Sequence, residues 1–209
     1  MYEHSLYTPV LEALMTSEPE LKCALTSKLY QDWCEGGMSR VTKDEIVRID
    51  NPGRPEKPEL VSPQEVSHRK LTTDEGRAAL IHAITHIEFN AINLGLDAVY
   101  RFREMPDDFV TDWLQVASEE AYHFGLLRDR LNELGFDYGD FPAHNGLWEM
   151  AVKTDFDPMV RMALVPRVLE ARGLDGHFSD NFFDMAPGES REIIFPGDAG
   201  PDELSKILT

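Results

Sequence analysis

The 209-residue sequence has few cysteines, few basic residues and no long hydrophobic run. Its two cysteines, Cys23 and Cys34, both lie in the N-terminal segment, which argues against a disulfide framework and favours a reducing, cytoplasmic setting. Because no apolar run approaches the roughly 20 residues that cross a bilayer, we expect no membrane partner. The first residues, MYEHSLYTPVLEALM, lack a basic region and break their apolar run at Glu12, so we expect no signal peptide.

Positive charge is also scarce, because the sequence has 20 basic and 38 acidic residues and a formal net charge of −18. Such a charge opposes a broad phosphate-binding surface, so nucleic acid is not an expected partner. The basic clusters at 128–130 and 161–167 are predicted to be solvated helix faces. The hydrophobic fraction of 42% is that of a globular protein.

Residues 1–70 are predicted to form N-terminal helices followed by a proline-rich connector. Apolar residues at spacings of three and four indicate two helices that break near SEPE, with Ser17 as the N-cap of the second. The connector begins near Gly36 and contains NPGRPEKPELVSPQEV, whose prolines exclude a continuous helix or an inner strand.

Residues 71–175 are predicted to form a helical core. A long helix begins at a capping box of Thr72 and Glu75. Its predicted buried stripe consists of Leu80, Ile84, Ile87, Ala91, Leu94 and Ala98. A second helix follows Pro106 and ends before Gly135. Its core line consists of Trp113, Ala117, Glu120, Phe124, Leu127, Leu131 and Leu134. A third long helix is predicted over about 158–172.

Acidic residues interrupt the predicted inner faces of these helices. Glu120 and His123 form an E-x-x-H pair whose side chains project to the same side of a helix. Glu88 lies on the stripe of the preceding helix, and Glu170 lies on that of the third. Burying an unpaired carboxylate costs free energy, so such a group normally takes up a proton, pairs with a cationic side chain or binds a metal ion. Four such ligands on three helices predict a metal site.

Each of these residues also has a simpler interpretation. Glu170 is equally suited to a surface ion pair with Arg167, and Glu88 to the edge of its helix. His82 and His86 have i, i+4 spacing but point away from the Glu88 stripe, so we predict packed or polar-face histidines rather than a zinc pair. A second E-x-x-H pair, in EVSH at 65–68, lies in the connector and is discounted.

At this point the sequence resembles a known group of proteins. PGRPEKPELV, GRAALIHAITHIEFNAINLGLDAVYRF, TDWLQVASEEAYHF, LGFDYGDFPAHNGLWEMA and RMALVPRVLEARGLD are similar to segments of bacterial ferritin-like proteins of a domain-of-unknown-function family. That family is related in architecture to the di-iron tRNA hydroxylase. The resemblance covers about residues 5–175. It implies a four-helix bundle with a carboxylate-bridged di-iron centre, and its ligand pattern matches Glu88, Glu120, His123 and Glu170.

The chain departs from that pattern after Glu170. The resemblance implies a fourth helix with a second E-x-x-H pair, and the only later histidine, His177, has no glutamate three residues before it. The fold class is therefore predicted as mainly α, a ferritin-like helical bundle without a recognisable fourth ligand-bearing helix. Residues 176–209 are predicted as a β-like tail. There, FSDNFFDMAPGESREIIF is similar to the end of the immunoglobulin-like domain of β-mannosidase-type glycosidases.

Two functions follow as expectations. The first is a ferritin-like protein that binds one or two iron or manganese ions and acts as an oxygen-dependent oxidoreductase on an unknown substrate, or a degenerate relative with an incomplete site. The second is a helical interaction protein, or a truncated fusion, with no metal and no activity. A homodimer that fills the groove left by the missing helix is the expected partner arrangement.

Overall fold

Helices account for most of the structure, a computed structural model that describes residues 4–66 and 72–173 and the side chains of 5–66 and 72–165. The helices are α1 (Tyr7–Met15), α2 (Pro19–Cys34), α3 (Asp74–Arg101), α4 (Asp107–Glu133), α5 (Gly146–Lys153) and α6 (Pro158–Gly173), with a 3-10 turn at Pro63–Glu65. Two short strands, β1 (His4–Ser5) and β2 (Met38–Ser39), pair in parallel. The predicted mainly α class is confirmed. The predicted β-like tail, 176–209, lies outside the described residues.

Helix starts are fixed by side chains that cap free backbone N–H groups. The carboxylate of Glu18 accepts a hydrogen bond from the backbone N–H of Glu20 at 2.9 Å, so the predicted Ser17 N-cap of α2 is wrong by one residue. Similarly, α3 starts one residue later than predicted, because the hydroxyl of Thr73, not that of Thr72, accepts from the N–H of Gly76 at 3.0 Å.

The connector between β2 and α3 has no helix or strand from residue 40 to residue 62, apart from an isolated bridge between Leu60 and Ala143. It is nevertheless attached to the helices. The N–H of Gly53 donates to the carbonyl of Leu14 at 3.0 Å, and the indole of Trp148 donates to the carbonyl of Asp50 at 2.9 Å. A Cβ on Gly53 would lie 2.2 Å from the carbonyl oxygen of Met15, so only glycine fits there. The connector therefore fastens α1 and α5 to the same core.

The helix pair α3 and α4 forms the centre of the described helices. A short loop at residues 102–106 joins the two helices, which therefore run antiparallel. α1 packs on α3 and α2 packs on α4, so these two helices cover one side of the pair. The helix α6 packs on α5, which in turn contacts α3. In the predicted core line of α4, Ala117, Glu120, Phe124 and Leu131 are buried.

The predicted stripe of α3 is buried at Leu94 and Ala98 in the second half of the helix, but not in the first half. Leu80 and Ile87 are exposed, and the residues buried instead in the first half of the helix include Ala78, His82, Thr85 and Phe89. The pattern was misleading because several polar side chains on the covered side satisfy their hydrogen bonds there. The hydroxyl of Thr85, for example, donates to the carbonyl of Ile81 at 2.8 Å. The apolar stripe thus points partly to solvent.

Candidate metal centre

Three of the four predicted ligands meet between α3 and α4. Glu88 comes from α3, and Glu120 and His123 come from successive turns of α4. One ligand atom from each side chain lies within 4.8 Å of the other two. Nδ1 of His123 is 3.1 Å from Oε2 of Glu120, as expected for residues three apart on a helix. A search of the described histidine, cysteine, aspartate and glutamate side chains for three that could hold one ion finds these three residues.

The fourth predicted ligand, Glu170, lies in α6, but its side chain is outside the described residues. The same holds for Arg167, the partner in the simpler interpretation of Glu170 as a surface ion pair. The structure therefore neither adds Glu170 to the three-residue group nor separates it from that group. Its role as a ligand stays a prediction.

The surroundings of the two carboxyl groups raise both of their pKa values. Burial raises the pKa of Glu88 to about 9, and its hydrogen bond to Glu120 and the charge of that neighbour act in the same direction. Burial also raises the pKa of Glu120. Two carboxylates that share a site cannot both ionise at low cost. Without a cation, the pair consequently keeps a proton at neutral pH.

Small residues set the distance between the two helices near the ligands. Gly95 of α3 lies two turns after Glu88 and faces Ala117, which lies one turn before Glu120. A Cβ on Gly95 would lie 2.9 Å from Cβ of Ala117 and 3.0 Å from the carbonyl oxygen of Trp113. Any larger residue at position 95 would push the helices apart. The close approach lets side chains of α3 and α4 reach one another.

Among the residues that the structure describes, part of the surface of the α3–α4 pair away from α1 and α2 is exposed. We call this surface the open face. It consists of the ligands' apolar neighbours Leu80, Ile84, Ile87 and Ala91 on α3 and Val116, Leu126 and Leu127 on α4. Ile87 and Leu126 are each 50% exposed, and the side chain of His123 is about half exposed, whereas Glu120 is buried. The ligand group therefore lies beside a partly exposed apolar surface.

The other histidines of α3 are packed, which is one of the two predicted arrangements. Nε2 of His82 accepts a hydrogen bond from the N–H of Gly139 at 2.9 Å. His86 lies 2.9 Å from the hydroxyl of Tyr138 and 3.1 Å from the carbonyl of His144. Burial lowers the pKa of both His82 and His86 to about 4, so both rings are neutral at physiological pH. Their surroundings explain their positions without a metal.

The basic cluster at 161–167 was predicted to be solvated, but its first residue, Arg161, is buried. Arg161 is 2% exposed, and its guanidinium donates to Asp97 at 2.8 Å and to the carbonyl of Ala151 at 2.6 Å. Asp97 also accepts from Arg101 at 2.8 Å. The prediction failed because the partner acid lies 64 residues earlier, on α3, where neither spacing nor composition relates it to Arg161. This network fastens α6 and α5 to α3.

The burial of Lys22 was not predicted from the sequence either. This lysine is fully buried in α2, and its ammonium group donates to the carbonyls of Ala13 and Leu14 and to Oδ1 of Asn93 at 2.7–2.9 Å. Burial lowers the pKa of Lys22 to about 7. A lysine among polar helix residues carries no sequence signal of burial. Here it caps the free carbonyls at the end of α1.

Comparisons with known proteins give a family but no function. A family model described as "Protein of unknown function (DUF455)" matches residues 15–180, and a model described as "Ig-fold domain" matches 166–209. The chain is 53% identical over 173 residues to an uncharacterized protein of Haemophilus influenzae. The match covers 78% of this chain but 60% of that protein, so the chain spans less than two thirds of its relative. No solved structure matches the chain.

Proposed function

The chain belongs to the DUF455 family of proteins of unknown function, and we propose that it binds a divalent iron or manganese ion through Glu88, Glu120 and His123. The observation that carries the proposal is the approach of the three ligand atoms to within 4.8 Å. Carboxylates with histidine suit iron and manganese. Neither Cys23 nor Cys34 belongs to the group, so it lacks the thiolates of a typical structural zinc site.

The electrostatics of the group fit a cation. Two carboxyl groups with raised pKa values lie beside a histidine, and without metal a retained proton reduces the charge of the pair. Oxygen or nitrogen ligands at about 2.1 Å from one ion are at most about 4.2 Å apart. Small side-chain rotations are enough to reach that arrangement from the observed positions. An ion would then replace the proton shared by the carboxyl groups.

The ligand count fits one ion better than two. Ferritin-like di-iron centres use four carboxylates and two histidines, whereas the described part of this site supplies two carboxylates and one histidine. Glu170 is the proposed additional ligand from α6. Water, or a second copy of the chain at the open face, would supply the remaining positions. The ferritin-like architecture itself is part of this proposal.

The proposed activity is an oxygen-dependent oxidation of an unknown substrate. Bound iron would supply the dioxygen chemistry, while the protein supplies position and environment. Glu120 and its buried surroundings exclude water on the core side, and His123 faces the open side, where a substrate would enter. We place the protein in the cytoplasm. No helix among the described residues is long and apolar enough to cross a membrane.

A helical interaction protein without metal is the alternative. The exposed apolar residues of the open face favour it, because such patches often bind other proteins. In that case Glu88 would remain protonated and hydrogen-bonded to Glu120. The two proposals differ in one measurable property, which is whether Glu120 and His123 are required to bind a cation.

Metal titration of the purified chain tests the choice. The chain is freed of metal with a chelator, and Mn²⁺ binding is followed by isothermal titration calorimetry, with anaerobic Fe²⁺ as a second ion. We expect saturable binding in the wild type and its loss in a Glu120→Gln/His123→Ala variant.

The control is Glu119→Gln, one residue along the same helix. Glu119 is exposed, and its carboxylate accepts from Gln115 at 2.8 Å. This variant removes a carboxylate charge from the same turn without touching the ligand group, so it should bind like the wild type. Absence of binding in the wild type, or equal binding in all three proteins, would overturn the proposal.

A further inference from the structure

We propose that a cavity between the connector and α3 binds a small carboxylate through Asn93 and Arg54. The connector contributes Arg54 and three prolines to the cavity wall, and α3 contributes His86, Phe89, Asn90 and Asn93. The cavity shares no residue with the group of Glu88, Glu120 and His123. The inference therefore goes beyond the proposed function and does not depend on it.

Asn93 has an amide group that lacks an acceptor. Its side chain is fully buried, and its Oδ1 accepts a hydrogen bond from the ammonium group of Lys22 at 2.8 Å. That bond fixes which end of the amide is the oxygen, because an ammonium group can only donate. The buried Nδ2 has no hydrogen-bond partner among the described residues. Since an unsatisfied buried donor costs free energy, an acceptor that enters the cavity would stabilise this position.

Positive charge lies on two sides of the cavity. Lys22 is bonded to Asn93 on the inner side, and hydrogen bonds in such a chain polarise one another, which makes Nδ2 a stronger donor. Arg54 lines the cavity from the connector, is exposed, and forms no hydrogen bond or ion pair with the described part of the chain. Its guanidinium is therefore available to a ligand.

The remaining polar wall carries no negative charge. None of the described residues that line the cavity is an aspartate or a glutamate. Tyr138 keeps its proton, because burial raises the pKa of its hydroxyl, and the nearby charge of Arg54 opposes that rise. Although the chain has a net charge of −18, the charges at this cavity favour an anion.

Arg54 is held in place by its neighbours before any ligand binds. Gly53 donates its N–H to the carbonyl of Leu14 at 3.0 Å and packs against the end of α1. Pro52 and Pro55, on either side of the Gly53–Arg54 pair, have their φ angles fixed by their rings. A site that is ordered beforehand loses less entropy when it binds. The proline-rich sequence of the connector thus gains a role beyond linking two helices.

The shape of the cavity favours a carboxylate among anions. Its enclosed part has room for one water-sized group, which suits a single carboxylate oxygen rather than a whole phosphate. That oxygen would accept from Asn93, and the second oxygen would accept from Arg54, whose planar guanidinium matches a carboxylate. The prolines and Phe89 provide apolar walls for the carbon atoms of the ligand.

Nuclear magnetic resonance with sodium acetate as the probe tests the site on the full chain. Metal is removed first, so that acetate cannot bind as a metal ligand. Saturation transfer from the protein to the acetate methyl protons is titrated at pH 6 and constant ionic strength. At this pH acetate is ionised and Lys22, whose pKa burial lowers to about 7, is charged. We expect saturable binding of acetate, and about tenfold weaker binding of acetamide, which has the same shape without the charge.

Two variants remove the two contacts, and a third is the control. Asn93→Asp keeps an oxygen for Lys22 but replaces the free N–H group by a second oxygen, which repels acetate. Arg54→Gln removes an exposed cation and should leave the fold intact, as circular dichroism would show. Each should weaken acetate binding about tenfold or more. Arg48→Gln removes an exposed cation of the same connector outside the cavity and should bind acetate like the wild type.

Three outcomes would overturn the inference. Absence of saturable acetate binding in the wild type would mean that the cavity holds water only. Equal affinity of the wild type and Arg54→Gln would place acetate elsewhere on the protein. Acetamide that binds as tightly as acetate would show that the charge of the ligand is not recognised. None of these results would affect the proposed metal site, which the Mn²⁺ titration tests through other residues.

Discussion

The contact between Gly95 and Ala117 gives a sharp test of how α3 and α4 are held together. Replacing a glycine by alanine inside a helix gains about 1 kcal/mol of helix stability. At Gly95 the new Cβ would lie 2.9 Å from Cβ of Ala117 and 3.0 Å from the carbonyl oxygen of Trp113. Both contacts are shorter than van der Waals distance, and a backbone carbonyl cannot rotate away. Overpacking of this kind costs about 1–3 kcal/mol.

Gly125 provides the matched control. It also lies inside a long helix, α4, but a Cβ there would meet nothing within 4 Å. Gly125→Ala should therefore raise the free energy of unfolding by about 1 kcal/mol. Because both variants gain the same helix stability, the difference between their free energies of unfolding gives the cost of overpacking alone. We expect Gly95→Ala to be about 1–3 kcal/mol less stable than Gly125→Ala.

Urea unfolding followed by circular dichroism measures this difference, and thermal unfolding should show it as roughly 2–12 °C in Tm. A Mn²⁺ titration of the same two variants adds a second reading. If α3 moves away from α4 at position 95, Glu88 moves away from Glu120, and Gly95→Ala should bind the ion more weakly than Gly125→Ala. Equal stability of the two variants would show that the helices do not approach as closely as described.

Three further substitutions test buried charges. Asp97→Asn should lower the free energy of unfolding by about 3–5 kcal/mol in urea, because it leaves the buried guanidinium of Arg161 without its counter-ion; a loss below 1 kcal/mol would contradict the buried pair. Lys22→Met should cost about 3 kcal/mol or more, since three acceptors lose their donor, and a neutral effect would mean that water reaches them. Glu88→Gln should remove a pH dependence. The pKa of Glu88 is raised to about 9 in the folded state, so between its unfolded value and pH 9 the folded state holds more protons and stability falls with pH. Without metal, the stability of the wild type relative to Glu88→Gln should fall from pH 5 to pH 8, and a flat difference would refute the shift.

Local sequence patterns predicted the elements that depend on neighbouring residues. The core line of α4 was visible because its apolar residues and Glu120 recur at steps of three and four. The pairing of Glu120 with His123 follows from the same helical geometry. The ends of α4 were also predictable, because Pro106 precedes the helix and Gly135 follows it with a positive φ of 82°. Errors of one residue at Thr73 and Glu18 reflect competition between adjacent capping side chains.

Contacts between distant residues escaped prediction for a physical reason. Arg161 and Lys22 are long, charged side chains that are usually solvated, and only a partner fixed elsewhere by the fold makes their burial favourable. Those partners, Asp97 and the carbonyls at the end of α1, lie on other helices. Periodicity describes one helix at a time, so it contains no information about which helix supplies the counter-charge.

The stripe on α3 is the most informative of the wrong predictions. Leu80 and Ile87 were expected inside because their spacing is that of a helix-packing seam, yet both are exposed on the surface that surrounds Glu88 and His123. Hydrophobic periodicity records every helix that covers a surface, whether it belongs to the same chain or to another. The apolar spacing of α3 therefore did not identify which part of its surface the described helices cover.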